Sequence, residues 1–182
     1  QANYSQYSSR YDRYLDRDVA PVFDPSLSGG ALYDLNVYNL SLIISLFGRP
    51  QSASYAANIG FNGIDTSGIL TLRYDGFVAS AAAAKDSMSP SFFMIQGESG
   101  WIHAEGTPNE LRSFTVGLRG KEPRTYALNR YEHRMVHEFE AMRDIFERGD
   151  YARAEEGLHT TRTVMAVMEK ARLMAGIQFR AD

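Results

Sequence analysis

The 182-residue sequence predicts an α+β domain: a predominantly antiparallel, open-faced sheet with helices gathered on one face. Three observations carry that expectation. Between residues 52 and 105, five short β-like runs follow one another on brief turns, which favours antiparallel pairing over βαβ crossovers. Asp75-Gly76, set between two of those runs, has the composition of a hairpin turn. Ala31 to Phe47, Arg130 to Arg148 and Leu158 to Ala175 repeat apolar residues at helical spacing.

Taken in order, Gln1 to Tyr14 interleaves Tyr4, Tyr7, Tyr11 and Tyr14 with polar residues. It reads as a strand over about residues 1–9 at a sheet edge, then an irregular segment through Arg10, Arg13 and Arg17. Pro21 to Pro25 is loop. The helix that follows has Ser28 as candidate N-cap and Gly48, then Pro50, as its stop. Leu32, Leu35, Leu40, Ile43, Ile44, Leu46 and Phe47 fall on one arc of it; Asp34, Tyr38, Ser41 and Ser45 stack on the other. Periodicity alone favours the plain reading of that row, the solvated side of an amphipathic helix. A carboxylate one turn from a phenol is also a usable acid–base pair.

Ser52 to Ile59, Ile64 to Tyr74, Phe77 to Ala84, Ser91 to Gln96 and Trp101 to Glu105 are the five strand candidates, with further ones near Leu111 to Val116 and Arg124 to Leu128. Leu70, Leu72 and Tyr74 alternate with Thr71 and Arg73, as a half-buried strand requires. In the helix from Arg130, Met135, Phe139, Met142 and Phe146 form the apolar face, and Gly149-Asp150 ends it. The last helix uses Val164, Val167, Met168, Ala171 and Met174, closed by Gly176.

Composition narrows the function. A net charge of −3 with scattered basic residues gives no nucleic-acid footprint, so the arginines among the N-terminal tyrosines are not expected to stack on bases. Cysteine is absent, which removes disulfide and thiolate chemistry and fits a cytoplasmic location. No uninterrupted apolar run approaches the roughly 20 residues of a membrane span. His133 and His137 stand i, i+4, but the order is not H-E-x-x-H and no third ligand is evident, so no metal is expected; His103 and His159 read as packed and surface residues. The methionines at helical spacing are core fillers. No phosphate loop and no G-x-G-x-x-G is found among the 15 glycines.

Gly29-Gly30-Ala31-Leu32-Tyr33-Asp34-Leu35-Asn36-Val37-Tyr38, with Leu46-Phe47-Gly48-Arg49-Pro50, resembles the signature helix of the substrate domain in the Gfo/Idh/MocA oxidoreductases. Asp65-Thr66-Ser67, the tract Gln96 to Ile102 and the ending Gly-Ile-Gln-Phe-Arg-Ala-Asp continue the likeness, although Pro is more usual at the place of Arg180. Most members carry His where Tyr38 stands, so the chain resembles the tyrosine branch of glucose–fructose oxidoreductase and dimeric dihydrodiol dehydrogenase.

The resemblance implies a glyceraldehyde-3-phosphate-dehydrogenase-like C-terminal domain. It makes Tyr38 the proton donor and acceptor, Asp34 a substrate-binding residue, and a sugar, polyol or dihydrodiol the substrate. It also implies NAD or NADP held mainly by a preceding Rossmann domain, so residues 1–182 would be the substrate-binding and dimerisation half, inactive alone. The start at Gln1-Ala2 without Met suits a piece of something longer. Lys121-Glu122-Pro123 has the wrong order and place to be the family's Glu-Lys-Pro motif. A homodimer or higher oligomer through the sheet face is expected. The competing expectation is a non-catalytic dimerisation scaffold or sugar-binding regulator.

Overall fold

A computed structural model describes residues 1–180. Eight strands form one sheet in the order β2-β3-β4-β1-β5-β6-β7-β8. They are β1 (Ala2–Ser5), β2 (Ser52–Ile59), β3 (Asp65–Arg73), β4 (Val78–Ala84), β5 (Phe92–Gly97), β6 (Gly100–Glu105), β7 (Phe114–Leu118) and β8 (Arg124–Tyr126). The helices are α1 (Tyr11–Leu15), α2 (Val37–Phe47), α3 (Met135–Arg148) and α4 (Tyr151–Met174).

Two meanders, β2-β3-β4 and β5 to β8, run antiparallel throughout. The turn at Asp75-Gly76 is the expected hairpin, with Gly76 at φ 81° and the Tyr74 N–H donating to the Phe77 carbonyl at 3.0 Å. The tract Gln96 to Ile102 is likewise a hairpin, Gly97 pairing with Gly100. The first strand departs from expectation. It is not at an edge but between β4 and β5, parallel to the one and antiparallel to the other, so the sheet is mixed. Ala2, Asn3 and Tyr4 are all buried, which an edge strand would not need. The strand is also shorter than expected, and the segment after it is not irregular: Tyr11–Leu15 is helical, with Tyr14 packed between Phe23 and Phe61.

One face of the sheet carries the core. Tyr55, Leu70, Leu72, Ala79, Ala81 and Phe93 lie under α2 and α4, which contributes Val164, Val167, Met168 and Ala171. The opposite face shows Ile69 and Val78 to solvent. The small side chains of β4 let α2 and the turn ahead of it approach closely enough for Asn36 and Asn39 to donate to the carbonyls of Ala81 and Ala82, at 3.0 and 2.9 Å.

Pro25–Phe47 is the one helical stretch among the described residues whose length and mean hydropathy, 1.2, would suit a bilayer span; 44% of it is buried inside the fold. That stretch is not a uniform α-helix. Residues Leu32–Asn36 form a π-helical turn ahead of α2, and Ser28, at φ 57° after a short 3-10 turn, does not cap it. The Asp65 carboxylate from β3 accepts the Leu32 N–H at 2.7 Å instead. Gly48, at φ 72°, ends α2 as expected. Leu46 and Phe47, expected in the apolar arc, are exposed at its end.

The last helix begins at Tyr151 rather than Leu158. The apolar face of α3 is not core: Phe139, Met142 and Phe146 are exposed, and no residue of α3 is buried.

Candidate active site

Asp34 lies within the π turn and Tyr38 at the start of α2, both partly exposed on the same stretch of helix. The Tyr38 ring stands 5.9 Å from that of Tyr4, tilted by 49°. Burial pushes the Tyr4 phenol above its ordinary range; Asn109 opposes this by hydrogen bonding, and Tyr38, Arg134 and Asp34 all lie near enough to act on it electrostatically. Four segments therefore meet here: β1, the helix, the loop after β6, and the residues leading into α3. Of the rest of the expected polar row, Ser41 bonds back to the Val37 carbonyl at 2.7 Å and Ser45 faces solvent.

Asp34 has a partner the sequence did not disclose. The Lys85 ammonium, at the end of β4, donates to Asp34 Oδ2 at 2.6 Å and to the Val22 carbonyl at 2.8 Å, and it lies 4.7 Å from the centre of the Phe23 ring. Lys85 is 2% exposed while the Asp34 side chain is 45% exposed, so the pair has one foot in the core and one in solvent. Burial lowers the Lys85 pKa, and the hydrogen bond and charge of Asp34 work against that.

Behind the helix, Asp65 Oδ2 accepts from Leu32 and also from the Tyr55 hydroxyl at 2.7 Å. Burial raises the Asp65 pKa against both donors. The adjoining Thr66 and Ser67 hydroxyls donate to Asp86 at 2.6 and 2.7 Å. The tract Asp65-Thr66-Ser67 is thus a set of ties, one to the helix start and two to the turn that holds Lys85.

Lys85 opens the turn-like stretch Lys85 to Pro90, whose composition does not disclose its burial. Polar residues at i, i+3 on the sheet-facing side of the helix were the available signal for Asn36 and Asn39. A cleft of about 470 Å³ lined by Ile43, Phe47, Phe77, Phe93 and Ile95 lies at the far end of α2, away from Tyr38. His133 and His137 accept nearby backbone N–H groups, from Met135 and Arg130, at 3.3 Å each. Among the described residues no cluster of three or more metal-ligating side chains is found.

The profile of the GFO/IDH/MocA C-terminal domain matches residues 4–103, and the chain belongs to that oxidoreductase family. Scyllo-inositol 2-dehydrogenase (NADP(+)) IolU of Bacillus subtilis is 32% identical over 181 residues, covering 100% of this chain and 55% of the relative. The uncharacterized oxidoreductase YgjR of Escherichia coli K12 is 29% identical over 180 residues, covering 99% of this chain and 54% of the relative. The chain thus spans about half the length of the curated relatives it matches. The 3-ketoreductase KijD10 of Actinomadura kijaniata, solved with NADP and TDP-benzene, superposes with a TM-score of 0.68 at 12% identity, covering 90% of this chain and 49% of that one, a likeness of fold alone.

Proposed function

We propose that residues 1–182 are the substrate-binding and oligomerisation domain of an NAD(P)-dependent oxidoreductase acting on a sugar, polyol or dihydrodiol, working in the cytoplasm. The carrying observation is Tyr38, partly exposed where four segments converge and on the same stretch of helix as Asp34. The described residues do not fit a dinucleotide: they hold no glycine-rich loop between a strand and a helix, so the cofactor is assigned to a preceding nucleotide-binding domain. This chain's own share is to seat the carbinol and exchange its hydroxyl proton with the Tyr38 phenol, while the outward part of the Asp34 carboxylate accepts a neighbouring hydroxyl. The scyllo-inositol activity of a relative supports a polyhydroxylated substrate.

The test is Tyr38→Phe in the whole oxidoreductase. A fall in turnover of about 100-fold or more with an unchanged fold is expected, the scale of general acid–base catalysis. Unchanged turnover would sink the role. The exposed sheet face, with Ile69 and Val78, favours pairing of two copies there, which light scattering would detect as a dimer. A dimer that keeps its activity loss to zero in Tyr38→Phe would favour the scaffold reading.

A further inference from the structure

We propose that Lys85 is a positioning residue of this site, one that fixes the Asp34 carboxylate and cancels its charge beside Tyr38. The inference rests on the reading of Tyr38 as proton carrier. A lysine 2% exposed is costly to bury unless its charge is satisfied, and two of its donors are spent on Asp34 Oδ2 and the Val22 carbonyl. The Val22 bond anchors the segment leading into the helix. The Asp34 bond reaches outward, to a carboxylate that lies in the site itself.

A structural tie could have ended at backbone carbonyls. Ending on Asp34 has two consequences for chemistry. The carboxylate is held through one oxygen, which leaves the other to meet a hydroxyl. Its negative charge is also balanced from behind, so the field it exerts on a phenol one turn away is small. Unbalanced, that charge would oppose formation of phenolate, and a proton carrier needs both of its states within reach.

Other charged and titratable groups surround the pair. Tyr4 faces Tyr38 from β1 and Arg134 stands nearby ahead of α3; Asp65 on β3 and Arg10 ahead of α1 act on Lys85 with opposite signs. None of them is substituted in the variants below.

The experiment titrates the Tyr38 phenol in this chain by carbon NMR of ring-labelled tyrosine, with Tyr38→Phe assigning the resonance and circular dichroism checking each fold. Lys85→Met is expected to move the titration midpoint up by about half a pH unit, the effect of one unbalanced charge at a partly exposed site. Asp34→Asn is expected to move it down by a similar amount, and the double variant to return it near the parent. A midpoint indifferent to either single change, or a double variant that does not restore it, overturns the inference, because a tie that serves only the fold has no reason to be rescued by Asp34→Asn. Should Lys85→Met fail to fold, Lys85→Gln takes its place, with the same upward shift expected and the same restoration by Asp34→Asn. If Tyr38→Phe leaves the whole oxidoreductase fully active, the proton-carrier reading falls and takes the positioning role with it. If turnover collapses but the titration ignores Lys85, only the inference is lost.

Discussion

Gly30 exists to make room for Asp65. A Cβ built on Gly30 would stand 2.0 Å from Asp65 Oδ1, and the glycine sits at φ 104°, outside the range of other residues. The carboxylate can therefore close on the start of the helix and accept the Leu32 N–H.

Gly30→Ala should lower the unfolding free energy by about 3 kcal/mol, combining backbone strain with a displaced buried carboxylate. Gly63→Ala is the control: its φ is 84°, but nothing lies within 4 Å of the added methyl, so only about 1 kcal/mol should be lost. Urea denaturation of the two variants measures the difference, and equal losses would mean that the contact with Asp65 is immaterial.

Asp86 should leave a mark on acid stability. Burial disfavours its charge, yet the hydroxyls of Thr66, Ser67 and Ser87 together outweigh that and hold its pKa below the ordinary carboxylate value. A lowered folded-state pKa contributes stability above the unfolded value, near 4, and loses it as pH falls through the folded value. The denaturation midpoint should therefore drop more between pH 6 and pH 3 in the parent than in Asp86→Asn. Asp65, whose pKa is raised and whose contribution runs the other way, is common to both proteins and drops out. Parallel acid limbs in parent and variant would refute this.

Phe146 is 87% exposed on α3. Phe146→Ser in this chain should change stability by less than about 0.5 kcal/mol, as for any exposed position without a partner in the fold. A loss of about 3 kcal/mol in a thermal or urea melt, the size expected for a core phenylalanine, would show that α3 packs where the sequence pattern alone placed it.

Much of the fold was legible. Alternation at Leu70, Leu72 and Tyr74 and the turn at Asp75-Gly76 depend on neighbours in sequence, and these elements appear where expected. The helix stop at Gly48 was readable for the same reason. What escaped depends on distant partners. The strand at Ala2–Ser5 pairs with residues some 80 positions away, and nothing in its own four residues shows that it runs parallel to one neighbour. The α3 stripe has helical period, but period does not say whether another surface arrives to cover it.

The site divides along the same line. Asp34 and Tyr38 were visible because both sit on one stretch of helix, whereas Lys85 is brought to Asp34 only by the folding of β4 beneath it. Its burial could not be inferred from a turn-like stretch of Lys, Asp, Ser and Pro. The π turn, too, coincides with ties from distant residues, Asp65 to the Leu32 N–H and Lys85 to the Asp34 carboxylate.

The placement of β1 has a mechanical meaning. Strands β4 and β5 are consecutive along the chain yet are not neighbours in the sheet; β1, flanked by Gln1 and Gln6, which bond to Met94 and Ala84, joins the two meanders. Its partners lie some 80 to 90 positions along the chain, so closing that seam carries a loop-closure cost that the hairpins do not. Severed, it would leave two half-sheets, with Tyr38 on the helix above and its aromatic neighbour Tyr4 gone.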